Sequence, residues 1–243
     1  MTETGPLPRF LPCGDAAVTV EFGSDIDPAI NARVLALDAA VTAERPAGLI
    51  ETVPTYRSLM VQFDPLVFDY AAFVARVHAL APGLKTDAVA GRRWKVPVVY
   101  GGDFGIDLEA TAARHKLTPA QLIQKHADAV YRVYMIGFMP GFTYLGGLNP
   151  SIATPRRVDP RPMTPPGCIS IGGIQALIAG QAMPSGWHIL GRTPVRTFMA
   201  GRDPAFLTAP GDEVVFEPTD ASRWEALEKA AAAGEPVAEQ VTP

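Results

Sequence analysis

Arginine is the residue type whose placement here suggests chemistry. The segment TPRRVDPRP at 154–162 sets Arg156, Arg157 and Arg161 on a proline-stiffened stretch. Proline fixes φ, so side chains carried on such a segment lose less freedom when they meet a ligand. Guanidinium forks match carboxylates, carbamates and phosphates with paired hydrogen bonds. Arg192, in GRTP, adds a fourth guanidinium in an apolar, glycine-flanked setting. Several cations among apolar neighbours describe a pocket for a small anion. The competing reading is a solvated loop whose arginines make surface ion pairs worth less than about 1 kcal/mol each.

Aromatic residues and glycines gather in GFMPGFTYLGGL at 137–148. Phe138, Phe142 and Tyr144 sit beside glycines that let the backbone approach closely, so this segment can wall a pocket and present amide N–H groups to an oxyanion. A sharp bend that stacks the same aromatics into a core is the alternative. Trp187, in PSGWHILGRTP, is open to the same two readings.

The other chemistry-bearing types are less informative. His78, His115, His126 and His188 lack metal-ligand spacing, and a structural or surface role is the simpler reading of each. His126 precedes the strand leading into the 137–148 segment and is therefore carried as a candidate substrate contact. There is no G-x-x-x-x-G-K-[ST] phosphate loop and no G-x-S-x-G elbow. Cys168 follows Pro165-Pro166-Gly167 and reads as a small buried hydrophobe.

These residues need elements to hold them. In the first hundred positions, Val18, Val20 and Phe22 alternate as a strand, and Asp27-Pro28 opens a helix over 28–44 with Ile30, Val34, Leu37 and Val41 on one face. Strands follow at 49–53 and 58–63, then a helix marked by Tyr70, Phe73, Val77 and Leu80 and closed by Pro82-Gly83. Trp94, Val96, Val98 and Tyr100 alternate as a further strand. The order is β-α-β-β-α-β, a split βαβ arrangement of the ferredoxin-like kind, with a domain boundary drawn between 92 and 93. Helices are expected at 106–115 and 119–129, the second opened by a Thr118/Gln121 capping box. Short apolar runs at 129–138, 169–171, 176–178, 195–199 and 213–216, separated by prolines and glycines, suit a small β-barrel filling 93–243. A last helix starting at Asp220 carries Trp224, Leu227 and Ala231, and the tail after Gly234 reads as frayed. The fold class is α+β.

Composition narrows the partners. Among 243 residues, 48% are hydrophobic and 19% charged, an ordinary globular balance. Lys and Arg number 21 against 25 Asp and Glu, so no basic field draws in nucleic acid or an anionic membrane. Cys13 and Cys168 make neither a disulfide framework nor a metal site. The start lacks the basic-then-apolar layout of a secretory leader, and no apolar run reaches the roughly 18 residues a membrane span needs. A soluble cytoplasmic protein is expected.

Taken in order, VPVVYGGDFGIDLE, GFMPGFTYLGGL, TPRRVDPRP, IGGIQ and PSGWHILGRTP resemble the 5-oxoprolinase B-subunit family, also called KipI-like or allophanate hydrolase subunit 1. The resemblance spans essentially the whole chain. It implies a ferredoxin-like domain over 1–92 and a cyclophilin-like β-barrel with a C-terminal helix over 93–243. It also implies a KipA-like (subunit 2) sister protein and a third component, with which members form an ATP-dependent enzyme that opens 5-oxoproline to L-glutamate. ATP would be used by the assembled complex, since this chain has no nucleotide motif and is expected to be inactive alone. Related domains form the carboxyltransferase part of biotin-dependent urea carboxylase, and a KipI protein inhibits a sporulation histidine kinase. These supply two alternatives: a carboxyltransferase subunit, or an inhibitor of a sensor histidine kinase. By resemblance the catalytic candidates are Arg156, Arg161, Gln175 and Arg192, and the substrate-binding candidates are Phe142, Tyr144 and Trp187, alongside His126. The family's usual threonine and tyrosine after Gln175 are replaced here by residues of Ala176-Leu177 and Ala179-Gly180, which removes hydrogen-bonding groups.

Overall fold

The computed structural model describes residues 7–86 and 91–242. The chain divides into two compact units, Met1–Ala90 and Gly91–Pro243. Both mix strands and helices, so the α+β class holds.

In the first unit β1 (Arg9–Pro12), β2 (Ala17–Glu21), α1 (Pro28–Glu44), β3 (Leu49–Pro54), β4 (Ser58–Phe63) and α2 (Tyr70–Leu80) follow in order. The sheet is antiparallel throughout, in the order β1-β2-β4-β3. Asp27 starts α1 by accepting hydrogen bonds from the N–H groups of Ala29 (2.8 Å) and Ile30 (3.0 Å). Arg45, in the left-handed region at φ 43°, ends it. Val34, Leu37 and Val41 of α1 bury against Val18, Val20, Leu59 and Val61 of the sheet, with Phe73 and Val77 of α2 completing the core. The expected β-α-β-β-α-β order is corrected here to β-β-α-β-β-α. The sheet edge beside β2 is taken by β1, which forms a hairpin with it, whereas the Trp94–Tyr100 run pairs in the second unit. A short, largely exposed strand such as β1 leaves no alternating apolar signature, which is why the pattern of the chain passes over it.

The second unit holds β5 (Arg93–Tyr100), α3 (Leu108–Arg114), α4 (Pro119–Ala127), β6 (Val130–Ile136), β7 (Thr143–Gly146), β8 (Arg161–Thr164), β9 (Cys168–Gly172), β10 (Gln175–Ile178), β11 (Met183–Ser185), β12 (His188–Arg192), β13 (Glu213–Pro218), α5 (Trp224–Ala232) and β14 (Glu239–Val241). Seven strands close in the order β12-β9-β10-β7-β6-β13-β5 and back to β12, because Gly191 and Arg192 pair with Tyr100 and Val99. β5 runs parallel to β13, with Arg93 opposite Glu213. The barrel interior is filled by Val96, Val98, Tyr131, Val133, Leu145, Ile169, Ile171 and Leu190, each essentially inaccessible to water. Asp212 fastens the seam. Its carboxylate accepts from the N–H (2.9 Å) and guanidinium (2.8 Å) of Arg92, Trp94 Nε1 (3.1 Å) and the Ala209 N–H (3.0 Å).

Two further expectations are corrected. Residues 195–199 form no strand, only an isolated bridge between Phe198 and Phe206. The tail is not frayed: β14 adds to β5 with Glu239 opposite Lys95, and Ala238 is buried beneath it. A two-stranded ribbon of β8 and β11 stands apart from the barrel sheet, and it carries the arginine segment. Among the described residues no helix is long and apolar enough to cross a membrane.

Candidate functional site

The β8–β11 ribbon and the bend between β6 and β7 enclose a cavity of about 260 Å³. Phe142, Tyr144 and Trp187 supply its aromatic wall, Arg156 and Arg157 its charge, and Ser185-Gly186 part of its floor. Folding thus brings together three separate segments of the sequence. Phe142 packs on Tyr144 with ring centres 4.5 Å apart, and Tyr144 meets Trp187 edge-on at 6.4 Å. Trp187 reaches this position because residue 172 is glycine: a β-carbon there would lie 2.6 Å from the Trp187 ring. Behind the wall, Cys168, Leu177, Ala179, Met183 and Ile189 form an apolar backing. Two of the positions where the family's polar groups are replaced, Ala176 and Ala179, are buried. At the rim stands Phe138, 67% exposed and in the left-handed region at φ 67°. A large side chain is uncommon in that conformation, and this one is left in water rather than packed.

The four arginines have different fates. Arg156 is exposed, lies 5.3 Å from the centre of the Trp187 ring as a cation–π partner, and has no carboxylate within ion-pair distance among the described residues. Arg157 is half-buried and makes a long 3.5 Å contact to Asp107. Arg161 gives two hydrogen bonds to Asp107, of 2.9 and 2.7 Å, so its charge is matched. Arg192 lies outside the cavity, donating to the Pro166 carbonyl at 3.0 and 3.1 Å and stacking over Trp224 at 5.0 Å. One uncompensated guanidinium therefore faces the aromatic wall. Burial pushes the Tyr144 hydroxyl above the usual phenol range, and the nearby Arg156 charge pulls it back.

Gln175 sits at the turn of the β9–β10 hairpin, opposite Gly172, and does not line the cavity. His126 belongs elsewhere altogether. Fully buried on α4, it bonds the Tyr100 hydroxyl through Nδ1 at 2.8 Å and stacks on Phe216 at 4.9 Å. Burial drives its pKa down to about 3, so at neutral pH it is an uncharged core residue rather than a substrate contact. Burial likewise pushes the Cys168 thiol up to about 11, which leaves it an inert part of the backing. Asp107 is the participant that sequence reasoning missed. It is only 5% exposed, and the signal available was an acid in the DFGIDLE stretch with three arginines elsewhere to answer it.

The sequence matches the family described as "Carboxyltransferase domain, subdomain C and D" over residues 8–208. A Bacillus subtilis (strain 168) protein, the B subunit of 5-oxoprolinase by name, is 35% identical over 215 residues, covering 84% of this chain and 89% of that protein. The chain belongs to the 5-oxoprolinase B-subunit family. A Haemophilus influenzae protein of the same name is 39% identical over 168 residues, covering 69% of this chain and 78% of that protein. Among solved structures, TTHA0988 superposes with a TM-score of 0.76 and 31% identity over 84% of the chain. This 5-oxoprolinase B-subunit homologue spans only 40% of the length of that structure. The urea amidolyase of Kluyveromyces lactis superposes with a TM-score of 0.81 over 97% of the chain at 19% identity, a likeness of fold, and the chain spans 16% of it. In this member of the 5-oxoprolinase B-subunit family, the cavity joins an aromatic wall to one guanidinium with no carboxylate partner among the described residues.

Proposed function

We propose that this chain is the substrate-holding component of an ATP-dependent 5-oxoprolinase, inactive until joined by a KipA-like sister protein and a third component. The observation that carries the reading is Arg156, an unmatched guanidinium laid over Trp187 in a cavity of about 260 Å³. 5-Oxoproline is a flat five-membered lactam with one carboxylate. Its carboxylate suits the Arg156 fork, and its ring suits the faces of Tyr144 and Trp187. Closure of the cavity by the sister protein would take Arg156 out of bulk water and strengthen this ion pair, because charges interact more strongly away from solvent. In this reading the second unit is a cyclophilin-like barrel, and the first is a variant of the ferredoxin-like arrangement in which β1 replaces the final strand.

The residues present do not suit ATP. Arg157 and Arg161 are engaged by Asp107, and a single remaining cation is too little for a triphosphate. The nucleotide is therefore assigned to the partner chains, and the assembly to the cytoplasm. Phe138 at the rim, with Val158 exposed on the neighbouring arginine segment and Met163 exposed on β8, offers the apolar surface on which the sister protein would close the cavity.

The test is co-expression with the sister proteins, followed by ADP release with and without 5-oxoproline. A stable complex whose ADP release depends on 5-oxoproline supports the reading. A complex that ignores 5-oxoproline and acts on a urea derivative overturns it in favour of the carboxyltransferase alternative, with biotin arriving on another chain. No complex, together with binding to a sensor kinase dimerisation domain, overturns it in favour of the inhibitor alternative.

A further inference from the structure

Asp107 occupies the N-cap position of α3, where an aspartate ordinarily accepts a hydrogen bond from the first turn of its own helix. Here the side chain makes no such cap. It turns away and accepts instead from Arg161 (2.9 and 2.7 Å), from Arg157 (3.5 Å) and from the Ile189 N–H (2.8 Å). The Asp107 N–H in turn donates to the Ile189 carbonyl at 3.0 Å, so the residue is docked on β12 from both sides. That docking needs Gly105, where a β-carbon would lie 2.0 Å from the Leu190 carbonyl oxygen. Arg161 is paired across the ribbon with Ser185, which lines the cavity, and the Arg157 N–H donates to the Gly186 carbonyl at 2.7 Å. One buried carboxylate thus reaches the arginine segment and the strand that follows Trp187.

Resting on the function proposed above, we propose that Asp107 sets the charge of the cavity. It neutralises Arg161 and shares Arg157, leaving Arg156 as the single unmatched guanidinium, and so selects a substrate with one carboxylate over one with two. Without it the two arginines that line the cavity, Arg156 and Arg157, and Arg161 beside the lining Ser185 would all be unmatched, a charge suited to a dianion. The long Arg157 contact fits this role: the group is restrained by Asp107 without being fully engaged by it. Asp107 is a positioning and specificity residue, acting through the guanidinium groups and never touching the ligand.

The experiment is calorimetric binding of 5-oxoproline and of glutarate, a dicarboxylate, to the full chain and its variants. Asp107→Asn keeps an oxygen for the Ile189 N–H while removing the charge. It is expected to raise glutarate affinity relative to 5-oxoproline by about tenfold, equivalent to about 1.4 kcal/mol. Arg161→Gln, which leaves Asp107 matched by Arg157 alone, is expected to move the ratio the opposite way. The double variant restores the net charge and is expected to return the ratio to that of the wild type. A purely structural role predicts single variants that shift the ratio alike and a double variant worse than either, and that pattern would overturn the proposal. If Asp107→Asn fails to fold, Arg161→Gln decides: a lowered glutarate preference supports the assignment and an unchanged one overturns it. Wild-type chain that binds neither anion refutes the functional reading itself, whereas binding of both with a ratio unmoved by the variants refutes only the role of Asp107.

Discussion

Replacing Arg156 with methionine should separate ligand binding from folding. The guanidinium is exposed, and its one described partner is the Trp187 ring at 5.3 Å, a cation–π contact worth about 0.5–1 kcal/mol at such a site. Methionine retains the aliphatic cover over the ring, so the loss of stability should stay below about 1 kcal/mol, a Tm decrease of less than about 4 °C for a chain of this size. Binding is another matter. Hydrogen bonds to a charged group contribute about 1.5–3 kcal/mol, which corresponds to roughly a ten- to hundredfold change in affinity. The assay is steady-state ADP release by the assembled enzyme across a range of 5-oxoproline concentrations, beside thermal unfolding of the variant chain. The expected result is a KM raised ten- to hundredfold with Tm nearly unchanged, and partial recovery in Arg156→Lys, which keeps the charge without the fork. An unaltered KM at unaltered Tm would refute the assignment of the carboxylate to Arg156.

Three other perturbations follow from the same geometry. Gly172→Ala introduces a methyl 2.6 Å from the Trp187 ring, and overpacking of this kind costs about 1–3 kcal/mol; displacement of the indole should raise KM about tenfold and shift tryptophan emission, and normal kinetics would show the wall is not rigid. Asp212→Ala leaves the Trp94 Nε1–H and the Arg92 and Ala209 backbone N–H groups without their acceptor, so stability should fall by about 3 kcal/mol and Tm by roughly 6–12 °C, read by calorimetry. His126 has a folded pKa of about 3 against an ordinary 6.5, so the unfolded chain takes up its proton first as pH falls. The resulting stability is fully present above about pH 6.5 and declines by up to about 1.4 kcal/mol per pH unit down to about pH 3. Urea unfolding at several pH values should show a shallower acid slope in His126→Phe, and equal slopes would remove this histidine from the pH dependence.

Much of the architecture was legible in the sequence because it rests on local rules. Asp27-Pro28 and the Thr118/Gln121 box mark helix starts that the structure reproduces, the latter with both reciprocal bonds formed. Five barrel strands, β5, β6, β9, β10 and β13, show as short apolar runs, whereas β7 and β12, which lie in the glycine-rich aromatic segments, do not. What escaped was set by pairing rather than by pattern. β1 and β14 are short strands with exposed side chains, and only their partners β2 and β5 make them strands. Residues 195–199 have the composition of a strand but lie where no neighbour offers a continuous ladder. At the site, the segments carrying Phe142, Tyr144, Arg156 and Trp187 were identifiable, since glycine, proline and aromatic clustering is a local signal. Which arginine stays free was not, because it depends on Asp107, roughly 50 residues away in sequence and reached only through the docking of Gly105 against β12. His126 misled for a related reason: its position before β6 is local, but its burial against Tyr100 and Phe216 is not.

The most direct test is to locate 5-oxoproline itself. In the assembled enzyme with isotope-labelled tryptophan in this chain, Trp187 reports on the cavity, while Trp224 reports on the surroundings of Arg192 and Trp94 on the barrel seam. Titration with 5-oxoproline should give a saturable shift of the Trp187 indole N–H alone, absent in Arg156→Met. A shift confined to Trp224 or Trp94, or no shift under conditions of full turnover, would contradict the account.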